Sequence, residues 1–204
     1  MLHRRPSPTI TGLLTAVALV GATASEAWAD DDALTPGTRP MFLDVGLGPT
    51  LFMGASGGGG SIRADDGFPR GKLQLEFGYH FSGDSSGPAL GPNIEVSFGA
   101  PPRDVTGVEP GLKFWYDIQI GDVAFYLTPS AKLGYGALIY RSVAAHAFNI
   151  ELGFEGRLII NDRGLVFFRP ITVDMLAGEV GFGGASASGF AAFWDLMFGG
   201  GATF

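Results

Sequence analysis

The sequence predicts an all-β protein, specifically an antiparallel up-and-down transmembrane β-barrel of eight strands. Apolar and polar residues alternate one for one in eight segments, which is the period of a strand with two different faces. Hydrophobic residues make up 46% of the chain, yet after the first 29 residues no stretch reaches the roughly 18 apolar residues of a membrane helix. Such a chain can meet lipid as a closed barrel, because closure leaves no unpaired backbone edge.

The N-terminal residues have the features of an export signal. A basic start at His3, Arg4 and Arg5 precedes a short apolar stretch, and Ala27-Trp28-Ala29 has the small-x-small form of a cleavage site. The expected organisation is a cleaved signal peptide at 1–29, a short periplasmic segment at 30–39 and the barrel at 40–204.

The first six alternating segments are regular. The second is the clearest, because Leu73, Leu75 and Phe77 alternate with Gln74 and Glu76. The predicted strands cover about 41–53, 72–81, 93–99, 112–120, a fifth that begins at 123, and 148–157.

The last two segments differ from the rest. The seventh, 165–175, is interrupted by consecutive apolar residues, which place Arg169 on the apolar face, and a bulge near Pro170 would restore the period. The eighth alternates from Phe190 to Phe204, so its apolar face continues to the last residue of the sequence.

The connectors between these segments alternate in length, as in outer-membrane barrels with short periplasmic turns and longer external loops. Residues 121–122 and 161–164 have the composition of tight turns. Longer connectors are expected at 54–70, 100–110, 136–147 and 177–189, and the connector at 82–92 is longer than this scheme requires. A ten-strand barrel is the alternative if the first or fifth connector contains a hairpin.

Charged residues fall in phase with the polar face, which in a barrel is the lumen. A Lys or Arg facing lipid at mid-bilayer would cost about 2–4 kcal/mol, so this phase agreement supports the barrel. Opposite charges at this density can pair inside a narrow lumen and occlude it. The predicted lumen network is Lys72, Glu76, Glu95, Lys113, Asp117, Lys132, Glu151, Glu155, Arg157 and Asp195.

These features resemble the small eight-stranded outer-membrane barrels, similar in type to the OmpA transmembrane domain, OmpX and OmpW-like proteins. The resemblance implies that the terminal segment is the signal read by the barrel-assembly machinery. Its residues at alternate positions are Leu196, Phe198, Gly200, Ala202 and Phe204. The implied partners are outer-membrane lipid and lipopolysaccharide, with periplasmic chaperones and the assembly machinery during biogenesis.

A weak catalytic hypothesis attaches to His80, Ser82 and Glu95. The His-x-Ser spacing, followed by a carboxylate, looks like the lipid A 3-O-deacylase barrels, and a His that activates a Ser is sound nucleophile chemistry. However, His80 would lie at the periplasmic rim, away from the outer leaflet. We therefore expect no enzymatic activity and no catalytic residue, and keep the lipid A hydrolase as an alternative.

Composition narrows the remaining possibilities. The net charge of −7 argues against a nucleic-acid partner, and the absence of cysteine excludes disulfide and thiolate metal sites. No cofactor and no metal are expected. The predicted function is an outer-membrane barrel, monomeric, with a structural, adhesive or narrow-conduit role and a charged, mostly occluded lumen. A soluble secreted β-sandwich is the remaining alternative.

Overall fold

The computed structural model is a closed antiparallel barrel of eight strands joined in sequence order. It describes residues 36–57, 71–99, 105–140, 143–180 and 187–204, so the predicted signal peptide and residues 30–35 lie outside the described ranges. Within those ranges, no helix is long and apolar enough to cross a membrane. The strands are β1 (Met41–Gly57), β2 (Gly71–His80), β3 (Gly87–Phe98), β4 (Val105–Gln119), β5 (Phe125–Tyr140), β6 (Val143–Ile160), β7 (Gly164–Val180) and β8 (Ala187–Thr203).

Closure of the barrel confirms the predicted fold class and strand number. β1 pairs with β2 on one side and with β8 on the other, so every strand has two neighbours. The ten-strand and β-sandwich alternatives are therefore wrong. Met41 and Phe204 extend the β1–β8 seam by exchanging two backbone hydrogen bonds of 2.9 and 3.1 Å.

The two ends of the barrel differ. The turn end, as we call it, carries residues 36–40, the connectors 81–86, 120–124 and 161–163, and Phe204. The opposite loop end carries the connectors 58–70, 99–104, 141–142 and 181–186, most of which lie outside the described residues.

Several predicted connectors are too long. β5 and β6 are separated only by residues 141–142, and β4, β7 and β8 also extend into segments that the sequence predicts as loops. At the turn end, the connector predicted at 82–92 is only 81–86, because β3 already begins at Gly87 and includes Pro88 and Pro92. Proline has no N–H for the ladder and reads as a strand breaker, which explains the error at this end.

β7 contains the predicted bulge, and its pairing with β8 shifts register between Arg169 and Thr172. The predicted orientation of Arg169 is wrong, however. Leu165, Phe167 and Arg169 point inward and are buried, whereas Phe168 points outward. The residues before the bulge thus keep a strict period of two, but in the opposite phase to the predicted one.

Side chains of the strands divide between two surfaces. Inward positions are buried and carry most of the polar groups, while the large apolar side chains at outward positions are exposed, Leu133 to 58% and Phe198 to 56%. Among the described strand side chains, no Lys, Arg, Asp or Glu lies on the outer wall. The barrel is therefore apolar outside and charged inside.

Candidate functional site

The barrel interior holds a concentrated set of buried ionisable side chains. Among the described residues, nine carboxyl groups, five Lys or Arg side chains and one histidine are buried. A buried charge is tolerated only when it is paired and hydrogen-bonded. The acidic members are Asp44, Glu76, Glu95, Glu109, Asp117, Glu151, Glu155, Asp174 and Asp195, and the basic ones are Lys72, Lys113, Lys132, Arg157, Arg169 and His80.

Arg157, Arg169 and Lys113 organise the half of the lumen nearer the turn end, here called the turn-side group. Arg169 donates from Nε to Glu155 at 2.5 Å and from Nη2 to Glu76 at 3.1 Å. Lys113 lies 2.6 Å from Glu76 and 2.7 Å from Glu151. Each buried cation thus meets at least two carboxylates, which crosslinks β2, β4, β6 and β7 through the lumen.

Arg157 links this group to aromatic side chains. Its guanidinium carbon lies 4.4 Å from the centre of the Phe42 ring, a cation–π distance. The same guanidinium contacts Glu155 and approaches Asp117 to 3.4 Å. Gly78 faces the Phe42 ring so closely that a Cβ at this position would overlap it. The missing side chain of Gly78 therefore makes room for an aromatic ring inside the narrow barrel.

Lys72 and Lys132 organise the half nearer the loop end, here called the loop-side group. Lys72 Nζ lies 2.6 Å from Asp174, 2.8 Å from Asp195 and 3.1 Å from Glu95. Lys132 Nζ lies 2.7 Å from Glu95 and 3.3 Å from Glu151, which joins the two groups. The loop-side group has more carboxylates per Lys or Arg side chain than the turn-side group.

Apolar clusters lie on both sides of the charges. The cluster at the turn end comprises Phe42, Ala89, Trp115, Ala124, Tyr126, Ile159 and Leu165. The cluster at the loop end comprises Leu138, Ala147, Leu176, Ala191 and Phe193, with Phe52 packed against it. The ion pairs are therefore held between two apolar layers, where the low dielectric strengthens their attraction.

Residues 36–40 lie against the turn end. Gly37 N donates to the Tyr126 hydroxyl at 2.9 Å, and Ser85 N donates to Gly37 O at 3.1 Å. Asp162 accepts hydrogen bonds from Thr38 N and Arg39 Nε at 2.5 and 3.2 Å. Burial raises the pKa of Asp162, but these hydrogen bonds and the Arg39 charge outweigh it, so the pKa lies below its usual value.

The structure does not assemble the three residues of the hydrolase hypothesis. His80 Nε2 lies 2.6 Å from Asp117 Oδ2 and His80 Nδ1 lies 3.1 Å from Pro40 O, so both ring nitrogens face other partners. Ser82 is exposed and donates to Asp84 Oδ1 at 2.9 Å. Glu95 pairs with lysines deeper in the lumen. His80 is consequently not positioned as the base that would activate Ser82.

Asp84 organises the connector that contains Ser82. Its carboxylate accepts hydrogen bonds from the hydroxyl and backbone N–H of Ser86 at 2.7 and 2.9 Å, as well as from Ser82. The Ser86 hydroxyl is the main cause that lowers the pKa of Asp84. The hydroxyl of Ser82 thus forms part of a local turn network.

All ten residues of the predicted lumen network lie in the interior. They are Lys72, Glu76, Glu95, Lys113, Asp117, Lys132, Glu151, Glu155, Arg157 and Asp195. Sequence reasoning missed Asp44, Glu109, Arg169 and Asp174. Asp44 and, after the predicted bulge, Asp174 are in phase with the polar face and could have been found, whereas Glu109 precedes Pro110 in a predicted loop.

The predicted assembly-signal residues form the outer side of the end of β8. Phe198 and Phe204 are exposed, and the three others are partly exposed. The inward positions between them are Met197, Gly199, Gly201 and Thr203. A Cβ at Gly199 or Gly201 would overlap the backbone of β1. The assembly-signal role of the outward residues remains a prediction.

Comparison with solved structures places this fold among known barrels. The chain is similar to neisserial surface protein A, with 14% identity, a TM-score of 0.51, and coverage of 80% of this chain and 97% of that chain. It also matches the N-terminal β-barrel domain of Pseudomonas aeruginosa OprF, with 10% identity, a TM-score of 0.48, and coverage of 81% and 98%. The outer membrane protein OprG from the same organism matches with 16% identity, a TM-score of 0.44, and coverage of 83% and 98%.

The likeness to neisserial surface protein A shows that the two proteins share the barrel fold. No protein-family model matches the sequence, and the comparison with curated proteins finds no match. The fold and the interior charges together define a small closed eight-stranded barrel.

Proposed function

We propose that this protein is an outer-membrane β-barrel with a structural or adhesive role, built around a closed interior. The observation that carries the proposal is the outer wall, where large apolar side chains are exposed all the way round and charges are buried inside. Soluble monomers rarely expose contiguous apolar patches larger than a few hundred Å². An apolar band around a barrel is the surface that a bilayer covers.

The interior favours a closed barrel rather than a conduit. Among the described residues, the two apolar clusters and the ion pairs between them lie inside the lumen. An eight-stranded barrel is just wide enough for side chains to fill it. A protein of this kind would act through its loops and its outer wall, with lipid and lipopolysaccharide as the surrounding partners.

A pair of lysine substitutions tests the membrane assignment. Leu133 lies midway along the outer face of β5 and is 58% exposed, whereas Ile120 lies in a turn-end connector. In a bilayer, Leu133→Lys should lower the free energy of unfolding by about 2–4 kcal/mol and Ile120→Lys by less than about 1 kcal/mol. Urea unfolding in phospholipid vesicles, followed by tryptophan fluorescence and heat-modifiable gel mobility, measures both.

The same pair separates the alternatives. On a soluble protein, replacing an exposed leucine with lysine would cost little at either position, and the protein would be recovered without detergent. Equal, small effects would therefore contradict membrane insertion. The conduit alternative is tested on the wild-type protein in planar bilayers, where the closed interior predicts no persistent channel and a steady cation current would contradict it.

A further inference from the structure

Residues 36–40 cross the mouth of the barrel at the turn end, and we call them the strap. Gly37 is buried, and a Cβ at this position would overlap Ser85 on one side and Ile159 on the other. Ser85 belongs to the connector between β2 and β3, whereas Ile159 lies near the end of β6, on the far side of the eight-stranded barrel. The strap therefore contacts opposite walls.

His80, the last residue of β2, holds the C-terminal end of the strap. Pro40 O accepts a hydrogen bond of 2.7 Å from the His80 backbone N–H, and ring Nδ1 of the same residue lies 3.1 Å from this oxygen. The other ring nitrogen, Nε2, lies 2.6 Å from Asp117 Oδ2. The His80 side chain is 3% exposed, so it joins the strap to the buried charges of the lumen.

The two partners of the His80 ring are both acceptors. A backbone carbonyl has no proton to donate, so Nδ1 must donate to Pro40 O. Asp117 also accepts at both of its oxygens, because Thr128 Oγ1 donates to Oδ1 and Arg157 Nη1 approaches Oδ2 to 3.4 Å. Nε2 must therefore donate as well. A histidine that donates from both ring nitrogens is an imidazolium ion, since the neutral ring has a single N–H.

The charged groups that face His80 favour this form. Asp117 faces it from β4, and Asp84 interacts with it from the connector between β2 and β3. Arg157, on β6, is the opposing cation, and the Phe42 ring of β1 lies against both side chains. Nine buried carboxyl groups outnumber the five buried Lys and Arg side chains among the described residues, so a further positive charge reduces the excess.

We propose that protonated His80 is a pH-sensitive latch that fastens the strap across the turn end. While both ring nitrogens carry protons, the ring bonds Pro40 and Asp117 at once. After loss of one proton, the remaining N–H stays with the Asp117 carboxylate, because a hydrogen bond to a charged acceptor is the stronger. The ring contact to Pro40 is then lost, and the strap loosens as the pH rises. This inference goes beyond the proposed membrane role and does not depend on it.

Asp162 limits the latch at the acid end of the pH range. Its pKa lies below the usual value because its carboxylate accepts hydrogen bonds from Thr38 and Arg39, and protonation of this carboxylate in acid releases these contacts. The strap should therefore be held best between the protonation of Asp162 in acid and the deprotonation of His80 at alkaline pH.

Nitrogen-15 NMR of histidine-labelled protein in detergent micelles tests the charge directly. The chain has three histidines, and His3 lies in the predicted signal peptide, so His146→Gln leaves His80 as the one imidazole of the mature protein. Both nitrogens of an imidazolium ion have similar chemical shifts, whereas the bare nitrogen of a neutral ring is well separated from the protonated one. We expect the imidazolium pattern at pH 7 and its loss at alkaline pH.

Amide hydrogen exchange at Gly37 measures attachment of the strap, because Gly37 N donates to the Tyr126 hydroxyl. Its protection, corrected for the intrinsic exchange rate, should fall at the pH at which the imidazolium pattern disappears. His80→Gln, whose side chain is neutral and has one donor nitrogen, should lower the protection at pH 7 by about tenfold. Tyr126→Phe is the matched control, since it should lower the same protection while leaving the imidazolium pattern of His80 unchanged.

Either of two results would overturn the proposal. One is the pattern of a neutral His80 ring at pH 7, and the other is a Gly37 protection that does not follow the charge of His80 in the wild-type protein. The second measurement needs no substitution, so it decides the matter even if His80→Gln does not fold. Both are made in micelles, whereas the Leu133→Lys experiment depends on a bilayer, so the two proposals can fail separately.

Discussion

Individual buried charges in this barrel depend on their partners. Arg169 is fully buried and reaches Glu155, Gln74 and Glu76 within 3.2 Å. Removing one member of a buried network leaves the others without compensation, and this loss usually exceeds the net stability that the intact network provides. Substitution of Arg169 is therefore expected to lower the free energy of unfolding by more than its individual hydrogen bonds suggest.

Replacing Arg169 with Met keeps an unbranched side chain about as long as the aliphatic part of arginine but removes the charged guanidinium group. We expect the free energy of unfolding to fall by about 3–5 kcal/mol, measured by urea unfolding in vesicles. Arg163→Met is the matched control, because Arg163 is exposed in a turn-end connector, and its effect should stay below about 1 kcal/mol. A loss for Arg169→Met no larger than that of the control would show that the network is not stabilising.

The sequence allowed many, but not all, of these residues to be found. Lys113 and Glu151 could be placed in the lumen because regular alternation surrounds them. Arg169 could not, because the four residues from Leu165 to Phe168 are all apolar, so the pattern before the bulge does not show which phase faces the lumen. Pairing across the lumen, as between Lys72 and Asp174, depends on closure and is invisible to period alone.

At the scale of the element, the connectors of the turn end explain how residues 36–40 are held. Asn161 and Asp162 both have φ near +53°, a left-handed conformation that Asn and Asp adopt more readily than other non-glycine residues. This turn directs the Asp162 carboxylate toward Thr38 and Arg39, while its backbone oxygen accepts a hydrogen bond of 2.9 Å from Thr203. One turn thus joins both ends of the described chain.

Asp162→Asn tests this anchor, since Asn tolerates the same backbone conformation but carries no charge. The pKa of Asp162 is lowered in the folded state, so its contribution to stability is present above the ordinary carboxyl pKa of about 4 and is lost as the pH falls through the folded-state value. We expect the variant to be about 1 kcal/mol less stable at pH 7. Urea unfolding from pH 7 to pH 2 should show this difference shrink to zero, and a pH-independent difference would contradict the assignment.

Strand positions were easier to predict than strand ends. The hydrophobic pattern located all eight strands, because the apolar outer wall and the charged lumen require different side chains at neighbouring positions. The pattern did not locate the strand ends. β5 extends to Tyr140 and β6 begins at Val143, both beyond the regular alternation of apolar residues. These ends are paired through the backbone, which the side-chain pattern does not indicate.

At the scale of the whole molecule, the end of β8 connects sequence, closure and biogenesis. β8 pairs with β1 along nearly its full length, and the seam closes the barrel. Phe198, Phe204 and their alternate neighbours face outward. In the proposed membrane they would contact lipid, and as the predicted assembly signal they would contact a partner before folding. These two hypotheses predict different consequences of the same substitution.

A Phe198→Ser/Phe204→Ser double variant distinguishes them. If the terminal segment is an assembly signal, the heat-modifiable fraction in cells should fall severalfold, while the purified chain still refolds into detergent micelles, where no assembly machinery acts. Phe190→Ser is the matched control, because Phe190 is also an exposed outward residue of β8 but lies outside the terminal segment. An equal loss in cells for the double variant and for Phe190→Ser, or a parallel loss of refolding in micelles, would show that these phenylalanines serve lipid contact alone.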